Sequence, residues 1–309
     1  MNITLENLLE AGVHFGHQIK RWNPKMKNFI YTHRNGVHII DLSQTMEMMQ
    51  KAASYIEKEV ASGKDIIFVG TKRQAKDIIV KEAVACGAMY ISNRWPGGLI
   101  TNFTSVKNTI AKYNKMLKMK ETKEIDKMTK KDLSVFNKDL ERKEKLVGGI
   151  KKLTERPNLL FVLDVKREIN AIKEAKQKDI PVISICDTNS NPDLVTIAIP
   201  GNDDAIKSIN LLVSFIADAV KKGMSKRSKE AKAKLVKGSE KTGKVKEYKK
   251  DVELDQIGIS DVVLAKLKEE GIETLSQLED KKDEELFAMK GLGQKVVTKL
   301  KEDVKNYKK

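Results

Sequence analysis

Cysteine is scarce in this chain, and nothing in the sequence pairs it. Cys86 and Cys186 are the two cysteines among 309 residues. They form no CxxC, and each lies beside an apolar strand or helix pattern, so both read as buried free thiols. No apolar run approaches the roughly 20 residues of a membrane span, and Met1-Asn2-Ile3-Thr4 does not begin a signal peptide. A cytoplasmic protein without a membrane partner is expected. Phosphate-loop signatures are missing too. Gly70 to Gln74 reads GTKRQ after an apolar run, yet neither GxxxxGK(S/T) nor GxGxxG occurs. Thr71 is expected instead to cap a basic helix start, with Lys72 and Arg73 turned to an RNA backbone. Asp164, Asp187 and Asp193 stand at the C-terminal ends of strand-like runs, where α/β enzymes keep their chemistry, but no nucleophile or base accompanies them. They read as turn caps, and neither a reaction nor a cofactor is expected. His14 and His17, with His33 and His38, make only a weak zinc pattern, because no cysteines and no HExxH helix accompany them. Hydrogen-bonding or RNA-facing histidines, and no metal, are the expectation.

One stretch has no carboxylate at all. Between His14 and Ile40 lie all four histidines, Trp22, Lys20, Arg21, Lys25 and Arg34, and the first acid is Asp41. Cations at this density neutralise phosphates, and flat rings offer faces on which unpaired bases stack. The whole sequence points the same way, with 59 Lys+Arg against 43 Asp+Glu and a net charge of +16. The excess is uneven: residues 1–222 carry +11, residues 223–251 carry +7, and residues 252–309 carry −2.

Short apolar runs recur between helical patterns: Ile66 to Val69, Met89 to Ile91, Leu159 to Leu163, Val182 to Ile185 and Thr196 to Ile199. Their near-continuous apolarity is what strands buried on both faces need. Met46, Met49, Ala53, Ile56 and Val60 repeat at helical spacing after a cap at Ser43, and Ile206 to Val220 do so after Asn202-Asp203-Asp204. This alternation predicts an α/β fold, a parallel sheet with helices on both sides. Phe29 to Tyr31 and Val37 to Ile40, joined across Arg34-Asn35-Gly36, read as a β-hairpin.

An insertion at about residues 104–150 keeps a heptad-like seam on two helices, through Val106, Ile110, Tyr113 and Leu117, then Leu133, Phe136, Leu140, Val147 and Ile150. Thr129-Lys130-Lys131-Asp132 opens the second helix as a capping box. The lysines of this antiparallel coiled coil read either as an RNA grip or as a solvated face. Residues 223–251 are lysine-rich and poor in apolar groups, so they read as a flexible basic linker. Residues 252–309 describe short helices with tight glycine turns, in which Gly291, Gly293 and Lys295 could hold a phosphate or a partner.

Six segments carry a resemblance: LLEAGVHFGHQIKRWNPKM (Leu8 to Met26), RNGVHIIDL (Arg34 to Leu42), FVGTKRQA (Phe68 to Ala75), NRWPGGLITNF (Asn93 to Phe103), LLFVLDVKREINAIKEA (Leu159 to Ala175) and IPGNDDAIKSI (Ile199 to Ile209). Together they are similar to the family of bacterial small-subunit ribosomal protein two, over roughly residues 1–225. The resemblance implies a flavodoxin-like parallel sheet with a protruding helical hairpin, bound to small-subunit ribosomal RNA. It also implies neighbouring small-subunit proteins as partners and a role in docking the mRNA-binding ribosomal protein one. Pro96, where the family usually has leucine, and Asn158, where it usually has aspartate, depart from the pattern. Residues 254–306 resemble the helix-hairpin-helix C-terminal domain of the RNA polymerase alpha subunit, through GIETLSQL and MKGLGQKVVTKL. The partner of that module is left open by its near-neutral charge, and a nucleic-acid-binding regulator acting through it is the alternative reading. A structural ribosomal protein, not an enzyme, is expected. Its phosphate contacts are expected at Lys20, Arg21, Lys25, Arg34, Lys72, Arg73 and Arg94. Trp22 and Trp95 read as stacking surfaces or as packing anchors in the core.

Overall fold

A computed structural model describes residues 3–123, 125, 128–242, 260–269, 272 and 296. The protein divides into two compact units, Met1–Lys234 and Leu235–Lys309. Gly291, Gly293 and Lys295 lie outside the described residues.

The first unit begins with α1 (Leu5–Glu10), whose Thr4 and Asn7 form a reciprocal capping box. A three-stranded antiparallel sheet follows: β1 (Phe15–Gln18), β2 (Ile30–Arg34) and β3 (Val37–Ile40), in the order β1-β3-β2. The expected hairpin is β2–β3. Asn35 at φ 50 and Gly36 at φ 77 give its two-residue turn the left-handed backbone that Asn-Gly tolerates. β1 has no counterpart among the expected strands, because Phe15–Gln18 shows no alternation of its own and is held by register with Val37 and Ile39.

The central sheet is parallel, as expected, and each of its five strands falls on an expected apolar run. Its strands are β4 (Ile66–Val69), β5 (Met89–Ile91), β6 (Leu159–Leu163), β7 (Val182–Cys186) and β8 (Ile197–Pro200), ordered β5-β4-β6-β7-β8. Counted within the sheet this is the flavodoxin-like order 2-1-3-4-5, in which connections reverse direction between β4 and β6. Alternate residues of each strand feed two cores. Ile66, Phe68, Phe161 and Ile183 pack with Met49 and Ile56 of α2 (Leu42–Ala61), Ile79 and Ala83 of α3 (Lys76–Cys86), and Ile209 and Val213 of α7 (Ile206–Thr242). On the other face Ile67, Val69, Leu160 and Val162 meet Ala171, Ile172 and Ala175 of α6 (Ile169–Gln177) and the base of the inserted hairpin. Each fully buried side chain of this size contributes about 1.5–3 kcal/mol. Phe68 and Phe161 add an edge-to-face contact at 5.1 Å. Both cysteines are buried free thiols.

The insertion is a helical hairpin, α4 (Phe103–Glu121) and α5 (Lys130–Val147). Val106, Ile110, Tyr113, Leu140, Val147 and Ile150 of the expected seam are buried, whereas Leu117, Leu133 and Phe136 toward the tip are only half-buried. Thr129 caps α5 by accepting from the Asp132 N–H and donating to its carboxylate.

Three local expectations change. α2 is capped by Asp41, which accepts from the Ser43 N–H, so Ser43 lies just inside the helix. Thr71 does not cap α3; that helix starts five residues later behind Ala75, and Thr71 is bound elsewhere. Residues 223–242, expected as the start of a flexible linker, continue α7. Lysine and alanine are good helix formers, and Gly223 lets α7 lie against α2, since a Cβ there would stand 2.9 Å from the Glu57 carbonyl. Residues 243–251 lie outside the described residues. Of the second unit, α8 (Asp261–Glu269) is described.

Candidate nucleic-acid interface

The carboxylate-free stretch is docked on the loop that follows β7. Thr188 Oγ1 accepts from the His17 N–H at 2.8 Å, and the Thr188 carbonyl accepts from Asn23 at 2.7 Å. Gly16 is needed there, because a Cβ would lie 2.5 Å from Thr188 Cγ2. On this support Lys20, Arg21 and Arg34 are exposed and, among the described residues, form no ion pair. Lys25 is exposed but engages Asp193. Trp22 is half-buried, its ring 5.2 Å from that of His38. His38 is buried, which lowers its pKa and leaves both ring nitrogens without a partner among the described residues. His33 is exposed.

In the loop after β4 the structure separates two residues expected to act together. Arg73 is exposed, whereas Lys72 is turned inward. Its side chain is 12% exposed, and its ammonium lies 2.6 Å from both Asp203 and Asp204 and 3.6 Å from Asp164. Burial alone would lower its pKa, yet the Asp203 carboxylate and its hydrogen bonds carry it up to about 12. Lys72 is therefore held as an internal counter-ion, apart from the exposed cations with which it was grouped. Asp164 does serve as a turn cap, accepting from the Arg167 N–H at 3.0 Å.

Arg94, after β5, is exposed. Trp95 is 7% exposed and belongs to the core side of its loop. Glu174 on α6 explains that placement, and no local pattern marks it. Its carboxylate accepts from the Trp95 indole N–H, the N–H groups of Gly98, Ile100 and Thr101, and the Thr101 hydroxyl. Burial pushes the Glu174 carboxyl up, but these donors hold it below its ordinary value. Pro96 is buried in the same loop, its carbonyl accepting from Leu99 at 3.0 Å.

A second cluster gathers at the carboxyl ends of β7 and β8. His17, Asp187, Asp203 and Asp204 present donor atoms within 4.8 Å of one another. His17 Nδ1 lies 3.0 Å from Asp187, and that hydrogen bond raises the imidazole pKa. Asp203 is fully buried, and burial followed by the charges of Asp187 and Asp164 pushes its carboxyl up to about 7. One imidazole with three carboxylates is the kind of donor set that divalent cations take, but the Lys72 ammonium already lies 2.6 Å from Asp203 and Asp204 and serves as their cation. His14, weighed beside His17 from the sequence, lies outside that set. The sequence shows Asp203-Asp204 as a helix-start pair, but their meeting with His17 depends on the fold.

Comparison with known proteins places the chain in a family. Residues 8–223 match the profile of the family described as Ribosomal protein S2. The protein belongs to the ribosomal protein S2 family. Small ribosomal subunit protein uS2 of Endomicrobium trichonymphae is 49% identical over 224 residues, 72% of this chain and 92% of the relative. The corresponding protein of Dictyoglomus turgidum is 47% identical over 234 residues, 76% of this chain and 95% of the relative. Small ribosomal subunit protein uS2c of Cyanophora paradoxa is 46% identical over 230 residues, 74% of this chain and 98% of the relative. Membership gives the chain a structural ribosomal role, not an enzymatic one. Beyond the S2 region, residues 240–306 match the profile of the C-terminal domain of the bacterial RNA polymerase alpha subunit. No helix among the described residues is long and apolar enough to cross a membrane.

Proposed function

We propose that this S2-family protein binds small-subunit ribosomal RNA, supports assembly and translation, and helps dock the mRNA-binding ribosomal protein one. The supporting observation is the group of exposed cations Lys20 and Arg21, in the turn after β1, and Arg34, at the end of β2, unpaired among the described residues and accompanied by Trp22. Arg73 and Arg94 extend it across the loops after β4 and β5. Such cations exchange condensed counterions for phosphates, so binding weakens steeply with salt. Docking of ribosomal protein one rests on the family resemblance alone.

The test is sedimentation of tagged protein from lysate at low and high salt, with an Arg21→Glu/Lys25→Glu variant beside the natural protein. The natural protein should travel with the small subunit, and the variant should release at lower salt. Natural protein that stays at the top of the gradient at low salt would remove the reading.

The second unit supports a separate proposal. Its match to the polymerase alpha domain and its balance of −2 over residues 252–309 favour a protein-docking accessory over a duplex-DNA binder. Removal of residues 252–309 should leave duplex-DNA binding unchanged; loss on removal would favour the regulator.

A further inference from the structure

The parallel sheet reverses its connections between β4 and β6, and the crevice outside the carboxyl ends of such strands is where this architecture receives ligands. A cavity of about 640 Å³ opens there. Its wall includes Arg94 from the loop after β5, Arg167 from the turn before α6 and Lys173 from α6 itself. All three are exposed, and none forms an ion pair among the described residues. The three cations share this lining with two carboxylates, so what they can offer an outside anion depends on what those carboxylates hold.

Two carboxylates also line the cavity, and both are committed to the protein. Glu168 is 3% exposed, and its Oε1 accepts from the Thr71 N–H at 3.0 Å and from the Thr71 hydroxyl at 2.5 Å. Glu174 is bound to Trp95 and the backbone of residues 98–101. Their role is to hold the cations in place. Thr71 Oγ1 accepts from Arg167 Nε at 2.9 Å. That bond fixes the guanidinium plane through Nε and leaves its two terminal nitrogens as a fork, the geometry that grips two phosphate oxygens at once. The Glu174 clamp likewise fixes the loop that carries Arg94. α6 begins behind Glu168 without a side-chain cap, and Asn170 of its first turn also lines the cavity.

We propose that this crevice is a built phosphate-binding pocket, with Arg167 as its central ligand and Arg94 and Lys173 as its flanking charges. The phosphate could belong to the RNA backbone or to a free nucleotide. The RNA source rests on the reading given above, while the pocket itself does not. Neither Arg167 nor Lys173 is marked by a phosphate-loop motif, because the site is assembled from three separate stretches of sequence.

The test uses the full-length protein and two probes, small-subunit ribosomal RNA in filter binding across a salt series, and ADP in calorimetric titration. Arg167→Gln and Lys173→Gln are compared with the natural protein. Lys173 has no hydrogen bond or ion pair among the described residues, so its removal should leave the fold intact. If RNA supplies the phosphate, each variant should lower the log–log salt slope by about one and weaken binding several-fold, and Arg167→Lys should restore only part of it. If a nucleotide supplies it, the natural protein binds ADP, Arg167→Gln abolishes that binding, and the RNA slope stays unchanged. The proposal is overturned if both variants match the natural protein with both probes. Under that result an altered slope for Arg21→Glu/Lys25→Glu would show the RNA surface standing without the pocket. A natural protein that ignores RNA but binds ADP through Arg167 would show the reverse.

Discussion

The indole N–H of Trp95 donates to the Glu174 carboxylate at 2.9 Å, tying the loop after β5 to the helix after β6. Glu174→Ala removes the acceptor shared by one indole, three backbone N–H groups and one hydroxyl. Hydrogen bonds to a charged group contribute about 1.5–3 kcal/mol each and do not add fully, so urea unfolding should show a loss of roughly 3 kcal/mol. Glu174→Gln should lose less.

Lys72 should matter for stability more than for RNA. Lys72→Met leaves Asp203, Asp204 and Asp164 without their internal cation, and breaking a buried pair from one side costs about 3–5 kcal/mol. Thermal unfolding should report the loss at neutral pH, and the difference should shrink in acid as Asp203 takes up a proton. An equal loss at both pH values would contradict this role.

Stability should fall as pH rises through the neutral range. The folded protein holds protons more tightly than the unfolded one at two sites: His17, raised above 6.5, and Asp203, raised from 3.8 to about 7. His17 contributes fully below 6.5 and loses its contribution as pH passes its folded value. The burial cost of the Asp203 anion grows between 3.8 and about 7. Folding takes up protons at both, so the slopes share a sign. His17→Gln should flatten the upper part of the melting-temperature profile, and Asp203→Asn the lower part.

The first unit should need the start of the expected linker. Lys226 pairs with Glu57, Arg227 approaches Asp65 at 3.5 Å, and Met224 Sδ would meet a Gly87 Cβ at 3.3 Å. A protein ending at Lys222 should be less stable than one ending at Lys234 by about 1–2 kcal/mol in urea unfolding, most of it from packing, because exposed pairs contribute little.

The parallel strands were legible because Ile66–Val69 and its counterparts are apolar on both faces, which leaves a helix-bounded sheet as their solution. The β2–β3 turn was legible because Asn35-Gly36 suits a left-handed backbone. Sites were harder to read. Exposure separates Arg73 from its neighbour Lys72, and that separation depends on Asp203 and Asp204, which arrive from far along the sequence. Glu174 and Arg167 belong to a helix and its leading turn, whose own pattern says only which face is apolar. The helical continuation past Gly223 was missed because a search for core-forming residues overlooks the helix propensity of lysine and alanine.

β5 is the outer strand on its side of the parallel sheet, and Gly149 at the foot of the helical hairpin presses against it, where a Cβ would lie 2.2 Å from the Tyr90 carbonyl. An open strand edge recruits other strands, and a subunit component must pass through a free state before it is incorporated. With the hairpin foot seated against it, this edge is expected to be closed to other strands while the protein is free. Gly149→Val should force the foot away from β5, and the variant should show its defect as aggregation of the unassembled pool, measured by light scattering, before any loss in assembled subunits.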